Sequence, residues 1–237
     1  LDLNPQGWSG GWPFFRDFDA QQSTSNGRTA AGARFPCGAS ISFMDLQRID
    51  LKALLDAPRE ANLDSLLAIF GRWRNDKAHP ARWVDVADYA HMSRGAGVML
   101  IGKQGLFGVT RFDPGLGLLY SGRGGYEGSC EKRVLETFRR HLALATALFR
   151  EPEYPAGLKT LNGSWDLSIN DRLDFPNTEE TGRLLHPPIR AALDKLFGPG
   201  SYELTPESDR QRRYGFTVRT KTIDLDRLLD TAQKALA

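Results

Sequence analysis

Between Trp83 and Arg123 the chain packs four β-type runs into a short span. Trp83, Val84 and Val86 open the first, Val98 to Ile101 form the second, Leu106 to Thr110 the third and Leu116 to Tyr120 the fourth. A parallel connection needs a crossover of about a dozen residues or more, so links this short predict antiparallel neighbours. Gly102-Lys-Gln-Gly105 and Asp113-Pro-Gly115 are the expected turns. Val98 to Ile101 is unbroken apolar sequence and reads as a strand covered on both faces.

Helical periodicity frames this region. Leu51, Leu54 and Leu55 fall on one face of a short expected helix closed by Pro58. A second helix is expected after the cap residue Asn62, with Leu63, Leu66, Leu67, Phe70 and Trp73 recurring at three and four, Arg72 and Arg74 in its last turn, and His79-Pro80 beyond it. A long helix is expected from the Ser129 cap, with Val134, Leu135, Phe138, Leu142, Ala145, Leu148 and Phe149 as its stripe and Pro152 and Pro155 as its stop.

Further on, Leu158 to Leu161, Asn162-Gly163 and Trp165 to Ile169 predict a hairpin with a type I′ turn. Asn177 with Glu180 reads as a capping-box start, and Pro187-Pro188 cuts the helical pattern, so a new helix is expected from there to Phe197 with Gly198 as terminator. Tyr202 to Thr205 and Tyr214 to Arg219 read as strands, and Leu225, Leu228, Leu229, Ala232 and Leu236 mark a closing helix. Helices and strands in this order predict an α+β fold, a mainly antiparallel sheet with helices packed against it and a possible loose internal duplication.

Residues 1–43 differ from the rest. Trp8-Ser-Gly-Gly-Trp12-Pro-Phe-Phe15 follows neither period, and Gln21 to Gly27 is polar and turn-prone. They read as a poorly ordered or upstream segment, or else as an aromatic arm that docks, with 44–237 as a single α+β domain. The net charge of +2 over 237 residues argues against nucleic acid as partner. Two cysteines, Cys37 and Cys130, build neither a disulfide framework nor a zinc site, which fits a reducing cytoplasm. No apolar run approaches the ~20 residues of a membrane helix, and no signal-peptide pattern opens the chain.

Leu66 to Trp73, Val84 to His91, Gly95 to Gly102, Gly117 to Tyr120, Ile169 to Leu173 and Pro176 to Glu180 together resemble a family of conserved bacterial proteins of unknown function. The resemblance spans roughly Leu63 to Val218, implies a bacterial source, and brings no activity, cofactor or catalytic residue.

Asp85, Asp88, Tyr89 and His91 are the densest ionisable group. On a strand, Asp85, Tyr89 and His91 share one face, where an aspartate orients an imidazole as a general base; a polar strand end explains the same residues. No third ligand at metal spacing accompanies them, so no metal is expected. Arg123, Gly124 and Gly125 lie in a glycine-rich loop running into a helix, a setting for an anion, although Glu127 opposes one and a plain strand–helix connection accounts for the loop too. Cys130, in the first turn of that helix, is a thiol candidate if a histidine approaches, although a buried cysteine packing as a small hydrophobe is the commoner case. Asn170, Asp171 and Arg172 form a polar cluster after a strand, where Arg172 suits an acidic group and turn chemistry suits the rest. Arg210-Gln-Arg-Arg213, in an expected hairpin loop, is basic enough to suit RNA or an acidic partner, but without interleaved aromatics it reads as a solvated loop tip.

No nucleophile–base–orienter set and no cofactor motif is complete. The expectation is a non-catalytic module that binds a protein partner or a small anionic ligand through these strand ends. The alternative is a hydrolase- or transferase-type enzyme with His91 as base, Asp85 or Asp88 as orienter, and Arg123 or Arg172 as stabiliser.

Overall fold

A computed structural model describes residues 45–76, 82–92, 95–112, 115–221 and 223–237. The N-terminal arm, His79-Pro80 and Asp113-Pro114 lie outside the described residues. In chain order the elements are β1 Ile49–Pro58, α1 Asp64–Asn75, β2 Trp83–Tyr89, β3 Gly95–Gly102, β4 Gly105–Arg111, β5 Gly115–Gly122 and α2 Cys130–Arg150. They continue with β6 Leu161–Ile169, α3 Glu179–Phe197, β7 Tyr202–Pro206, β8 Gly215–Thr220 and α4 Leu225–Leu236. The strands form one eight-stranded sheet, ordered β2-β3-β4-β5-β1-β6-β8-β7, with every neighbouring pair antiparallel. The fold is α+β with an antiparallel sheet.

The helix expected over Leu51 to Leu55 is instead the central strand β1. Ile49, Leu51, Ala53 and Leu55 alternate into the core at 0–4% exposure, while Asp50 and Lys52 take the other face. Three leucines fit either period, but pairing with β5 on one side and β6 on the other decides for the strand. Positions sharing a face follow from that register. Leu51, Leu118, Trp165 and Val218 join the helices in two adjoining clusters. Helix α2 serves both, with Val134, Phe138 and Leu142 in one and Leu144, Ala145 and Leu148 in the other. On β3, Val98 and Leu100 enter the core, and Met99 is buried on the opposite face.

Two further expectations change. Asn162-Gly163 is no hairpin turn: both residues lie within β6, and the segment before it forms a 3-10 turn at Ala156–Leu158. Gly163 has φ +86, and a Cβ there would meet the Thr220 carbonyl oxygen at 2.4 Å, so glycine lets the end of β8 close onto β6. The Pro187-Pro188 pair does not start a new helix but sits inside α3. Each proline costs about 3 kcal/mol against alanine in a helix interior. Leu185, Ile189, Leu193 and Leu196 are all buried along α3, and burying a large aliphatic side chain stabilises by about 1.5–3 kcal/mol. The stripe outweighs the breaks. The α3 cap is Thr178, whose side chain accepts from the Thr181 amide, while Asn177 donates to the Glu207 and Asp209 carbonyls. Ser129 caps α2 and Gly198 closes α3 at φ +87 as expected, but the α1 cap position is Leu63, with no side-chain cap bond, and Asn62 one residue earlier accepts from the Asp64 amide at 2.7 Å.

The two halves share a connectivity. Strand, helix, strands, helix runs from β1 to α2 and again from β6 to α4; in each half the last strand pairs with the first, and β1 pairs with β6 at the seam. The first half carries the additional hairpin β2–β3 at the sheet's edge.

Candidate functional site

The sequence candidates separate into two groups at opposite ends of the strands. Tyr89 pairs with Gly97 where β2 ends, next to the end of β4 and the start of β5. Arg123 follows the far end of β5, beside the start of β1 and the end of β6. His91 is exposed in the turn after β2, and Asp88 Oδ1 accepts from the Ala90 amide at 2.8 Å within that turn. Asp85 Oδ1 accepts from the Val86 amide at 2.8 Å and stands 3.8 Å from Arg74. These carboxylates serve the edge strand's own backbone and surface charge. The set of His91, Asp85 or Asp88 with Arg123 or Arg172 is therefore not brought together.

The glycine loop also differs from an anion cradle. The Gly124 and Gly125 carbonyls accept from Arg140 at 3.4 and 3.0 Å, the Arg123 amide donates to the Gln104 carbonyl, and the Tyr126 amide donates to Gln47 Oε1. Arg140 spans Glu136 at 2.7 Å and the Tyr126 ring at 4.6 Å, so it ties the loop to α2. Cys130 is buried, and burial pushes its thiol up, which removes the thiol nucleophile from consideration. Asp171 Oδ1 accepts from the Leu173 and Asp174 amides at 3.2 and 3.1 Å and so caps its own turn, while Arg172 is exposed.

What the fold does assemble is a cluster around Asp50, on the sheet face opposite the helices. Asp50 is 7% exposed. Ser121 donates to its Oδ1 at 2.6 Å and Arg213 to its Oδ2 at 2.9 Å, with the Asn170 side chain also hydrogen-bonded and the Arg123 charge nearby. Burial pushes the carboxyl up, and these four partners pull it back. Two residues along the strand, Lys52 meets Asp166 at 2.8 Å and lies 4.5 Å from the Phe112 ring centroid. Burial drives the Lys52 ammonium down, Asp166 holds it up, and Thr217 donates to the same aspartate. Gly117, diagonal to Lys52 on the neighbouring β5, makes the space: a Cβ there would stand 2.7 Å from the lysine's Cγ and Cδ.

Arginines surround this cluster at one end of the sheet. Arg48 precedes β1, Arg123 follows β5, Arg172 follows β6 after a short link, and Arg213 precedes β8; these are four neighbouring strands. Arg48, Arg123 and Arg172 are exposed and Arg213 is partly buried on Asp50, while Asp45, Asp171 and Asp174 stand within three residues of Arg48 or Arg172 along the chain. Arg123, Asn170 and Arg172 are thus gathered from the sequence candidates, and Arg213, expected in a basic loop tip, is instead partly buried on Asp50, whereas Asp50 and Ser121 were missed. The alternation Ile49-Asp50-Leu51-Lys52-Ala53, two charges at every second position of an apolar run, was a signal for Asp50 and Lys52 alone; nothing local pointed to Ser121.

Among the described residues no three potential ligands of His, Cys, Asp or Glu type form a metal-binding group, and no helix is long and apolar enough to cross a membrane. A scan against protein-family models and a search of curated proteins find no match.

Proposed function

We propose that this chain is a non-catalytic binding module that takes an anionic group, a small anion or the acidic surface of a protein partner, on the arginine rim at the ends of β5, β1, β6 and β8. The observation that carries this reading is the placement of four arginines at the ends of four neighbouring strands, with the buried Asp50 between them. The buried carboxylate holds Arg213 in place and lies within the field of Arg123, and the exposed residues Arg48 and Arg172 stand at the adjoining ends of β1 and β6. A planar guanidinium offers two parallel donors to a carboxylate or phosphate. Asp45, Glu127, Asp171 and Asp174 sit close in sequence to the rim and moderate its charge; Asp45 is paired with Arg133 at 2.7 Å, and Asp171 Oδ1 is taken up by its own turn.

Calorimetric titration with citrate and with inorganic phosphate, at matched ionic strength, tests the reading. The wild-type chain is expected to bind at least one of them and to gain thermal stability. At a ligand concentration of about 100 times Kd the gain is about 2.7 kcal/mol. The double variant Arg123→Ala/Arg172→Ala is expected to lose about tenfold or more in affinity while keeping its unliganded stability. Absence of binding up to about 10 mM, or equal binding by the double variant, removes the rim as an anion site.

A further inference from the structure

On the other side of β8, facing the helices, lies a groove of about 700 Å³ between the first half of α3 and the loop joining β7 to β8. Pockets of about 300–1,000 Å³ suit small organic ligands. Tyr214, Phe216 and Pro206 line it with apolar surface, and Gly182, Arg183 and His186 line it from α3.

Three features mark it as more than a gap. Tyr214 is 4% exposed, and its hydroxyl has no hydrogen-bond partner. An orphaned buried hydroxyl costs about 1–3 kcal/mol, and burial pushes this phenol up to about 12, so it remains a donor at any ordinary pH. Gly182 sits in the interior of α3, where glycine costs about 0.8–1.0 kcal/mol against alanine. Packing does not demand it, because a Cβ there would touch only Tyr214, at 3.9 Å from the ring and 4.0 Å from the hydroxyl. The glycine keeps the wall open to a Cβ-sized group in contact with the tyrosine's ring edge and hydroxyl.

The third feature is charge. The two acids in the wall are engaged, Glu179 with Arg210 at 3.4 Å and Glu207 with Arg212 at 3.2 Å and the Asp209 amide at 3.0 Å. Arg183 is exposed and, among the described residues, pairs with no carboxylate. Helix α3, 19 residues long, also points its positive end into the groove.

We infer that this groove binds a small organic acid, its carboxylate held by Arg183 and its apolar body laid over Tyr214, Phe216 and Pro206 beneath the opening at Gly182. The carboxylate end accepts from the guanidinium, and a polar substituent on the body meets the Tyr214 hydroxyl. The site is separate from the arginine rim and does not depend on it.

The probe is 3-phenylpropionate, titrated into the full chain by calorimetry and by amide chemical-shift mapping. The cation 2-phenylethylamine and inorganic phosphate serve as comparisons. Binding of 3-phenylpropionate with shifts at Gly182, Arg183, Tyr214 and Phe216 is expected. Gly182→Leu, which fills the space and favours the helix, is expected to raise Kd about tenfold or more, and Arg183→Gln about fivefold. Equal binding of the amine, shifts confined to the arginine rim, or an unchanged Kd in both variants overturns the inference. If Gly182→Leu proves misfolded by circular dichroism, the exposed Arg183→Gln decides alone. Loss of phosphate binding in Arg123→Ala/Arg172→Ala with 3-phenylpropionate binding intact separates this site from the rim.

Discussion

His141 shows how burial sets a single side chain's chemistry. It lies on α2 within the core, fully buried, with Nε2 2.9 Å from the Leu118 carbonyl, and its ring meets Phe107 and Trp165 edge-on at 6.3 and 5.5 Å. The carbonyl requires a donor, so the neutral ring carries its proton on Nε2. Desolvation lowers its pKa to about 4 from a usual 6.5, against the smaller opposing pull of the Leu118 carbonyl. The folded pKa lies below the unfolded one, so the unfolded chain takes up the proton first as pH falls. The stability His141 contributes is complete above about 6.5 and is lost between there and about 4. Between pH 7 and pH 5 this one residue accounts for about 2 kcal/mol of lost stability. Urea unfolding at the two pH values, on wild type and His141→Gln, measures it. The glutamine amide keeps a donor without titrating, and its pH 7 to pH 5 loss is expected to be smaller than wild type's by that amount. An equal loss in both proteins means that protonation of His141 is not coupled to unfolding.

At the scale of elements, β1 carries the sharpest prediction. A helix over Leu51 to Leu55 would place Leu51, Leu54 and Leu55 on one face and make them alike. The strand separates them: Leu51 is fully buried beneath the helices, and Leu54 is half-buried on the opposite face. Leu51→Ala is expected to cost about 2–5 kcal/mol, and Leu54→Ala about 1 kcal/mol or less. Denaturant midpoints for the two variants check this, and equal losses would contradict the strand register. Elements β3 to β5 and α2 were legible in the sequence because their periods admit one reading: Leu116 to Tyr120 is too short and too tightly linked for a helix, and the α2 stripe runs for 21 residues. β1 was not, because the partners of Leu51, Tyr120 and Leu167, lie 69 and 116 residues away, and that distant pairing settles an ambiguous local pattern. The Asp50 cluster was hidden for the same reason. Its members come from β1, β5, β6 and the β8 entry, and it exists only once the sheet is ordered. The continuity of α3 through Pro187-Pro188 likewise depends on tertiary burial that no local rule contains.

Across the whole molecule, the repeated connectivity suggests two units, but the packing joins them into one. Leu51 faces Leu167 and Ala53 faces Trp165 across the β1–β6 seam, and both ion pairs of the helix-free face cross it, Asp50 with Arg213 and Lys52 with Asp166. Above the seam Phe138 of α2 meets Trp165 and Phe197 of the second half at ring distances of 5.7 and 5.8 Å, and Leu228 and Ala232 of α4 belong to the same cluster. The second half therefore borrows its roof from the first. A fragment of residues 159–237 would hold fewer than about 80 residues, where one core rarely supplies more than about 3–5 kcal/mol. Without α2 it would also uncover Trp165 and Phe197. Residues 45–158 would keep α2 but expose the side of β1 that pairs with β6, an open strand edge in mid-sheet. Neither fragment is expected to unfold cooperatively by circular dichroism, whereas residues 45–237 should melt in a single transition with the same midpoint by far-ultraviolet dichroism and tryptophan fluorescence. A cooperative transition in the isolated 159–237 fragment would show that the halves are autonomous and that the seam is only an interface between them.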